Sequence, residues 1–212
     1  MKRFFTSDFH LGSSLLLNKD VMKDDVRNFK SVEKMNSAFI RSCQERATDE
    51  DVIIHCGDFA SYGMDRGNKG LDINPRKFLE IIPAQVILIK GNHDLSNKCK
   101  PVADSMRISL GKIFKDVSIS HYPSYNIHAK DQFLNYDIHL CGHVHRQFKH
   151  CLDLDHNVLN INVGVDVWNY RIVSEEELIS YISKLLNKTS EDLYKCKTDK
   201  SGKLRFFGKK DI

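Results

Sequence analysis

Two histidines one residue apart, His143 and His145, follow directly after a glycine in the stretch CGHVH, residues 141–145. Neutral imidazole is a common metal ligand, so such a pair can bind a metal ion. The same pair can also be two histidines on one face of an ordinary strand. The pair alone does not decide between these interpretations, so donors elsewhere in the chain have to be considered.

Four further segments place ligand-type side chains directly after an apolar run. They are Asp8-x-His10, Gly57-Asp58, Gly91-Asn92-His93-Asp94, and His121. Taken singly, each has a structural interpretation, since GNHD can be a plain turn and His121 a hydrogen-bonded core histidine. Loops beyond the carboxyl ends of strands in an α/β sheet converge on one crevice, however, and glycine allows sharp turns there. The repeated pattern therefore predicts one shared site.

The candidate donors have the composition of a two-metal site. They are Asp8, His10, Asp58, Asn92, His121, His143 and His145. This set exceeds what one tetrahedral ion accepts and suits two ions that share a bridging carboxylate. Mixed imidazole, carboxylate and amide ligands favour Mn, Fe, Zn or Ni over calcium or a thiolate zinc site. We expect two divalent ions, with manganese first among these metals.

The elements that must position these donors alternate between strands and helices. Apolar residues at spacings of three and four predict an amphipathic helix over 29–47, and Pro75 begins a shorter one over 74–82. Ser174 and Glu177 form a capping box at the start of a helix over 174–186. Strands are predicted at MKRFFT, DVIIH, AQVILI, DVSIS, YDIHLC and NVLNINV. The order favours an α/β or layered α/β architecture with early parallel pairing. The stretches 60–74 and from about 188 look irregular.

Composition narrows the class of protein. The chain has 212 residues and a net charge of +4, which fits one domain and implies no polyanionic partner by itself. No apolar run approaches the ~18 residues of a membrane helix, and the first residues do not form a secretory signal. The six cysteines include no C-x-x-C pair, which favours reduced thiols. We expect a soluble cytoplasmic protein without a membrane partner.

Taken in order, the five donor segments resemble the motif set of the calcineurin-like metallophosphoesterases. The stretches SHYP and NVGVDVWNY further resemble a small bacterial and phage branch of predicted phosphoesterases, and extend the similarity to about residue 187. The resemblance implies a two-sheet β-sandwich flanked by helices, in a four-layer α/β/β/α arrangement with the site at its edge. It implies a metallophosphoesterase domain over 1–187. A basic tail over 188–212 would follow, either packed on the domain or flexible.

The resemblance also implies a role for each donor. The first metal would be held by Asp8, His10, Asp58 and His145, and the second by Asp58, Asn92, His121 and His143. His93 would stand near the leaving group, oriented by Asp94, and these two are the expected catalytic residues. His143 and His145 would then serve different ions, with strand alternation pointing both rings the same way.

The expected function is hydrolysis of a phosphomonoester or phosphodiester of a small molecule or nucleotide, through a hydroxide bridging two metals. One alternative is a nuclease or nucleic-acid end-processing enzyme, whose basic tail with Phe206 and Phe207 would bind the backbone and bases. The other is an inactive metal-binding scaffold, which the complete ligand set disfavours. A phage-encoded protein would work in the host cytoplasm.

Substrate contacts are less defined. Ser13 and Ser14 stand where the branch often has another histidine, and Arg27-Asn28-Phe29 replaces a common Arg-Pro-Phe. These departures leave the metal assignment intact and the substrate open. Arg66 and Lys69 could bind a phosphate or be solvated loop charges. Four aromatic residues near the donor segments could stack on a base or belong to the core, and the core is favoured for Trp168; they are Tyr122, Tyr125, Trp168 and Tyr170.

Overall fold

The computed structural model describes residues 1–61, 64–65, 68–69, 74–126 and 138–210. Its helices are α1 Lys19–Met22, α2 Val32–Arg46, α3 Pro75–Ile81 and α4 Glu175–Leu186. Its strands are β1 Arg3–Thr6, β2 Val52–His55, β3 Met64–Asp65, β4 Asn68–Lys69, β5 Gln85–Leu88, β6 Ser105–Leu110, β7 Phe114–Ser120, β8 Ile138–Cys141, β9 His150–Asp153, β10 Val158–Asn162, β11 Val173–Ser174, β12 Lys195–Thr198 and β13 Leu204–Phe207.

Two sheets carry the donor segments. The first has the order β11-β1-β2-β5, and β1, β2 and β5 run parallel. The second has the order β13-β12-β9-β10-β8-β7-β6, and β7, β8 and β10 run parallel. A short antiparallel pair, β3 with β4, stands apart from both. The predicted two-sheet α/β architecture with flanking helices is confirmed.

Side-chain alternation along the strands explains why the first sheet is covered on both faces. Phe5 and Ile54 face the second sheet and share one core with Leu140. Their neighbours Phe4 and Ile53 point the other way, into a second core with the buried face of α2. Full burial of each such side chain stabilises the fold by about 1.5–3 kcal/mol. The period-two pattern therefore places one layer of helix and one sheet on opposite faces of the first sheet.

The three longer helices each begin at a capping side chain, and α2 begins at Val32 instead of the predicted residue 29. The Ser31 side chain accepts a hydrogen bond from the Lys34 amide at the start of α2. Asn74 caps α3, with Pro75 in its first turn. The capping box of α4 is confirmed, with reciprocal bonds between Ser174 and Glu177. No helix in the described ranges is long and apolar enough to cross a membrane.

The C-terminal segment differs from its irregular appearance in the sequence. β12 pairs parallel with β9 and antiparallel with β13, so both strands belong to the second sheet. Cys196 on β12 is fully buried, in a third cluster with Cys141, Cys151 and Phe148. We call β12 and β13 the C-terminal hairpin. Arg66 and the side chain of Lys69, predicted to meet a phosphate or solvent, lie outside the described residues.

Candidate metal centre

The candidate site lies where six parallel strands end, three from each sheet. Loops after β1 and β2 are joined by the Asp8 amide, which donates to the Gly57 carbonyl at 3.0 Å. The His143 amide, after β8, donates to the Asp8 carboxylate at 3.0 Å. Ser7 and Gly164, after β1 and β10, form an isolated parallel bridge. The sandwich edge therefore brings together loops that are far apart in the chain.

Five predicted donors have left-handed backbone conformations, which non-glycine residues adopt rarely. Their φ angles are 58° at Asp8, 46° at His10, 56° at Asp58, 69° at His143 and 42° at His145. Such residues cost about 1–3 kcal/mol each and concentrate at functional sites, where the surrounding structure holds them. The local backbone is thus shaped to aim these side chains inward.

The same angles correct the expected reason for the His-x-His spacing. β8 ends at Cys141, so His143 and His145 lie beyond the strand and strand alternation does not align them. Their rings turn to different neighbours. His145 stacks on His10 with ring centroids 5.4 Å apart, whereas His143 meets His121 edge-on at 5.1 Å.

A first donor group contains Asp8, His10 and His145, each of which offers one ligand atom within 4.8 Å of the others. Asp58 borders this group, with its Oδ2 atom 3.6 Å from His10 Nε2. The four residues are those predicted for the first metal.

A second donor group contains His121, Asn92 and His143. The Asn92 Oδ1 atom lies 2.9 Å from His121 Nε2 and 3.1 Å from His143 Nδ1. Asp58 Oδ2 is 3.3 Å from His121 Nε2, so this carboxylate lies between the two groups. Asp8 also reaches the second group, because its ligand atom lies within 4.8 Å of those of Asp58 and His121. The structure thus brings all seven predicted donors together.

Two donor histidines have their outer ring nitrogen occupied. Nδ1 of His121 donates to the Cys56 carbonyl at 2.8 Å, which turns Nε2 toward the site. Nδ1 of His145 lies 2.9 Å from the Asp166 carboxylate, which leaves its Nε2 available. Metal-binding histidines are usually oriented by such outer contacts.

The donor set fits metal ions. His10 Nε2 is buried and has no hydrogen-bond partner among the described residues. A buried polar atom without a partner is costly unless something else satisfies it, and a cation would do so. The neighbouring carboxylates of Asp8 and Asp58, both buried, supply the negative charge that cations need.

Burial and charge set the ionisation of the donors. Burial acts to lower the pKa of His121, but its hydrogen bond to Asp58 and the Asp8 charge raise it to about 9. Burial and then the positive His121 lower the pKa of His143 to about 4. Burial also holds the pKa of His10 well below its usual range. His10 and His143 are therefore neutral near pH 7, the form in which imidazole binds metals.

A buried ion pair supports this arrangement and was not recognised in the sequence. Asp166, which orients His145, accepts from Arg27 Nε at 2.8 Å and Nη2 at 2.7 Å. Arg27 also donates to the carbonyls of Asp8 and Phe9 at 2.5 and 2.9 Å. One signal could have found Asp166, since it follows β10 and Gly164 as the other donors follow their strands.

Asp94 has a different role from the one expected. Its buried carboxylate accepts from the amides of Asp58 at 3.0 Å, Phe59 at 2.9 Å and Gly91 at 2.7 Å. In the described part of the chain none of its hydrogen bonds goes to the His93 ring. The expectation that Asp94 orients His93 is therefore corrected, because the carboxylate is directed at these three amides. Asp94 ties the loop after β2 to the loop after β5.

His93 stands at the edge of the site. Its amide donates to Asp58 Oδ1 at 2.8 Å, and its half-buried ring meets His10 edge-on with centroids 5.5 Å apart. A cavity of about 220 Å³, which we call the metal-side cavity, opens at this place; its walls include His10, Leu15, Met22, Asp58, Asn92, His93, His143 and His145.

Of the four aromatic residues near the donor segments, Tyr122 contacts donor rings and the other three pack elsewhere. Tyr122 touches the rings of His121 and His143, with centroids 5.1 and 4.7 Å away. Trp168 belongs to the core, as predicted, and its indole donates to the Asn162 carbonyl at 2.8 Å. Tyr170 packs on Phe29 beneath the site. Tyr125 instead faces the C-terminal hairpin.

Residues 1–171 match the model of the calcineurin-like phosphoesterase superfamily domain. The chain therefore belongs to this superfamily. An uncharacterized protein of Methanocaldococcus jannaschii, MJ1445, is 25% identical over 189 residues, which cover 86% of this chain and 92% of that protein. The gene 66 protein of Mycobacterium phage L5 is 23% identical over 207 residues, covering 86% and 94%.

Among solved structures, a protein of unknown function from Aquifex aeolicus, AQ665, shares the fold. The TM-score is 0.60 and the identity 25%, over 85% of this chain and 98% of that one. The superfamily assignment supports hydrolase chemistry that uses divalent metals.

Proposed function

We propose that the protein hydrolyses phosphoester bonds at a centre of two divalent cations. The observation that carries the proposal is the convergence of seven donors from strand ends of both sheets. Among them the His10 Nε2 atom is buried and has no hydrogen-bond partner within the described residues. When bound, the cations would acidify a water molecule and neutralise charge on the phosphoryl oxygens.

Each donor has a proposed place. Asp8, His10, Asp58 and His145 would hold the first cation, and Asp58, Asn92, His121 and His143 the second. The position of Asp58 Oδ2, 3.6 Å from His10 Nε2 and 3.3 Å from His121 Nε2, supports a bridging role. The mixed oxygen and nitrogen set favours Mn, Fe, Zn or Ni, and manganese is the proposed metal.

His93 is the proposed general acid, which gives a proton to the leaving oxygen. Its ring lines the metal-side cavity and belongs to neither donor group, and its backbone is anchored to Asp58. Asp94 positions the loops that carry Asp58 and Asn92 by accepting hydrogen bonds from the amides of Asp58 and Gly91. Its proposed role is to hold the metal ligands Asp58 and Asn92 in place, without contact to the substrate.

Two aryl substrates test the function. We expect full-length protein with two bound Mn²⁺ ions to release 4-nitrophenol from 4-nitrophenyl phosphate or bis(4-nitrophenyl) phosphate, and to lose this activity when a chelator removes the metal. Protein that binds two ions and hydrolyses neither these compounds nor a nucleotide diester would refute the proposal and support the scaffold alternative.

The nuclease alternative has less support from the C-terminal hairpin than the sequence suggested. Phe206 packs between Tyr125 and Tyr194, at centroid distances of 5.7 and 5.8 Å, so this segment is held against the domain and is not a flexible tail that could follow a nucleic-acid strand. Steep loss of oligonucleotide affinity with rising salt would favour this alternative.

We also infer a cytoplasmic location, since all six cysteines are buried and form no disulfide bonds.

A further inference from the structure

A second and larger space lies beside the metal-side cavity. It has a volume of about 670 Å³, within the range of ligand sites, and we call it the hairpin groove. Its walls include Tyr125, Leu204, Phe206 and Lys210, and it shares His143 and His145 with the metal-side cavity. The two spaces therefore border the same pair of donor histidines.

The outer wall of the hairpin groove is held rigidly by packing. The Phe206 ring stacks on Tyr194 at 5.8 Å with an angle of 12°, and Tyr125 meets it edge-on at 5.7 Å. Beneath them, Cys196 and Phe148 are fully buried in the third cluster. Phe206 is nevertheless only half-buried, so part of its ring stays available to a ligand.

The chemistry of the hairpin groove suits an aromatic ligand attached to a phosphate. Tyr125, Leu204 and Phe206 provide apolar surface, Arg146 and Lys210 provide positive charge, and one carboxylate, Asp25, lies among the lining residues. Two polar atoms of this lining, Tyr125 Oη and Arg146 Nε, are buried without a hydrogen-bond partner within the described ranges. Stacking on an aromatic side chain with a nearby cation is a usual way to bind a nucleobase.

The position of His93 bears on the type of ester. His93 lines the metal-side cavity and is not among the described residues that line the hairpin groove, so a substituent in that groove is not the one whose oxygen receives the proton. A phosphomonoester carries one substituent and a phosphodiester two. We propose that the substrate is a phosphodiester with an aromatic base on one arm, and that this arm occupies the hairpin groove. The proposal rests on the proposed function.

In this reaction, a hydroxide formed from water makes the new P–O bond, and the P–O bond to the other arm breaks. His93, which lines the metal-side cavity, gives the leaving oxygen its proton. The phosphate remains on the base-bearing arm.

Two diesters with the same leaving group test the assignment: the 4-nitrophenyl ester of thymidine 5′-phosphate and methyl 4-nitrophenyl phosphate. They differ only in the retained arm. We expect Mn²⁺-loaded wild-type protein to prefer the thymidine ester in kcat/KM. Phe206→Leu should lower this preference about tenfold, as expected for loss of one aromatic–base stack. Lys210→Ala should lower it about threefold, as expected for loss of an exposed cation beside the base ring, and serves as the second variant if Phe206→Leu fails to fold.

The neighbouring residue on β13 provides the matched control. Phe207 is exposed and lies on the opposite face of the strand, outside the hairpin groove, so Phe207→Leu should leave the preference unchanged. A wild-type protein that hydrolyses both esters without preference overturns this inference but leaves the proposed function standing. A preference for the thymidine ester that persists in both Phe206→Leu and Lys210→Ala also overturns this inference and leaves the proposed function standing. Hydrolysis of none of these esters and of neither aryl phosphate would refute the proposed function itself.

Discussion

Replacement of Arg27 by methionine tests the buried ion pair beneath the metal centre. The side chains of Arg27 and Asp166 are both fully buried, and two hydrogen bonds of 2.7 and 2.8 Å join them. The variant would leave the Asp166 carboxylate buried without its cation. Breaking a buried pair in this way costs about 3–5 kcal/mol, so we expect the free energy of unfolding to fall by that amount.

A double variant separates folding from orientation of the metal ligand. Arg27→Met with Asp166→Leu replaces the whole pair by apolar side chains, a change that is often neutral or stabilising. Part of the lost stability should therefore return, while the carbonyls of Asp8 and Phe9 still lack the Arg27 donors. His145 would still lack the acceptor for its Nδ1 atom, and loss of such an outer contact weakens metal affinity by about 10–100-fold.

Urea unfolding of metal-free protein and calorimetric titration with Mn²⁺ measure the two effects separately. Arg205→Met serves as the control, because it removes an ion pair at the surface. The side chain of Arg205 is 58% exposed and that of its partner Asp199 is 31% exposed. We expect this control to change stability by no more than about 1 kcal/mol. Wild-type Mn²⁺ affinity at both sites in the double variant would refute the orienting role of Asp166. A loss below about 1 kcal/mol in Arg27→Met would refute the importance of the buried pair.

Four further changes test other parts of the site and fold. His93→Ala should retain both metal ions and reduce kcat by about 10²–10⁴-fold, and unchanged turnover would exclude His93 from the chemistry. Asp58→Asn should weaken both ions together in a metal titration, so loss of one ion alone would contradict the bridging role. Gly91→Ala would place a Cβ atom 2.3 Å from the Asp58 carboxylate, and we expect impaired metal binding together with a lower melting temperature. Deletion of 195–212 should lower the melting temperature by uncovering the third core cluster, whereas deletion of 209–212, which leaves both strands intact, should not.

Local patterns were sufficient to predict the donor segments and the main helices. Each donor follows its strand within a few residues, so a short apolar run and a glycine already indicate its place. The periodicity of α2 and the capping box of α4 are equally local. These elements could be predicted from short-range patterns because helices and strands repeat with fixed periods, so the spacing of apolar residues indicates the buried face.

Contacts between distant segments could not be predicted in the same way. Arg27 and Asp166 are 139 positions apart, and nothing in either neighbourhood identifies the other. Asp94 directly follows His93, yet its carboxylate binds amides of two loops instead of the ring. The C-terminal hairpin was missed because its basic residues were interpreted as a tail, although Lys195–Thr198 alternates polar and apolar residues as a strand does. The two strands are completed by pairing of β12 with β9 and of β13 with β12.

The amino-acid sequence by itself determined which donors the protein carries and that they follow the ends of strands, since residue type and spacing are local properties. The directions of the donor side chains came from the tertiary structure. Left-handed backbone angles at His143 and His145 turn the two rings toward different neighbours, although their spacing suggested a common direction. Packing of the two sheets also brought the C-terminal hairpin against these histidines and formed the hairpin groove. Side-chain direction and groove shape depend on how segments distant in the chain pack against each other. Local residue order does not specify that packing.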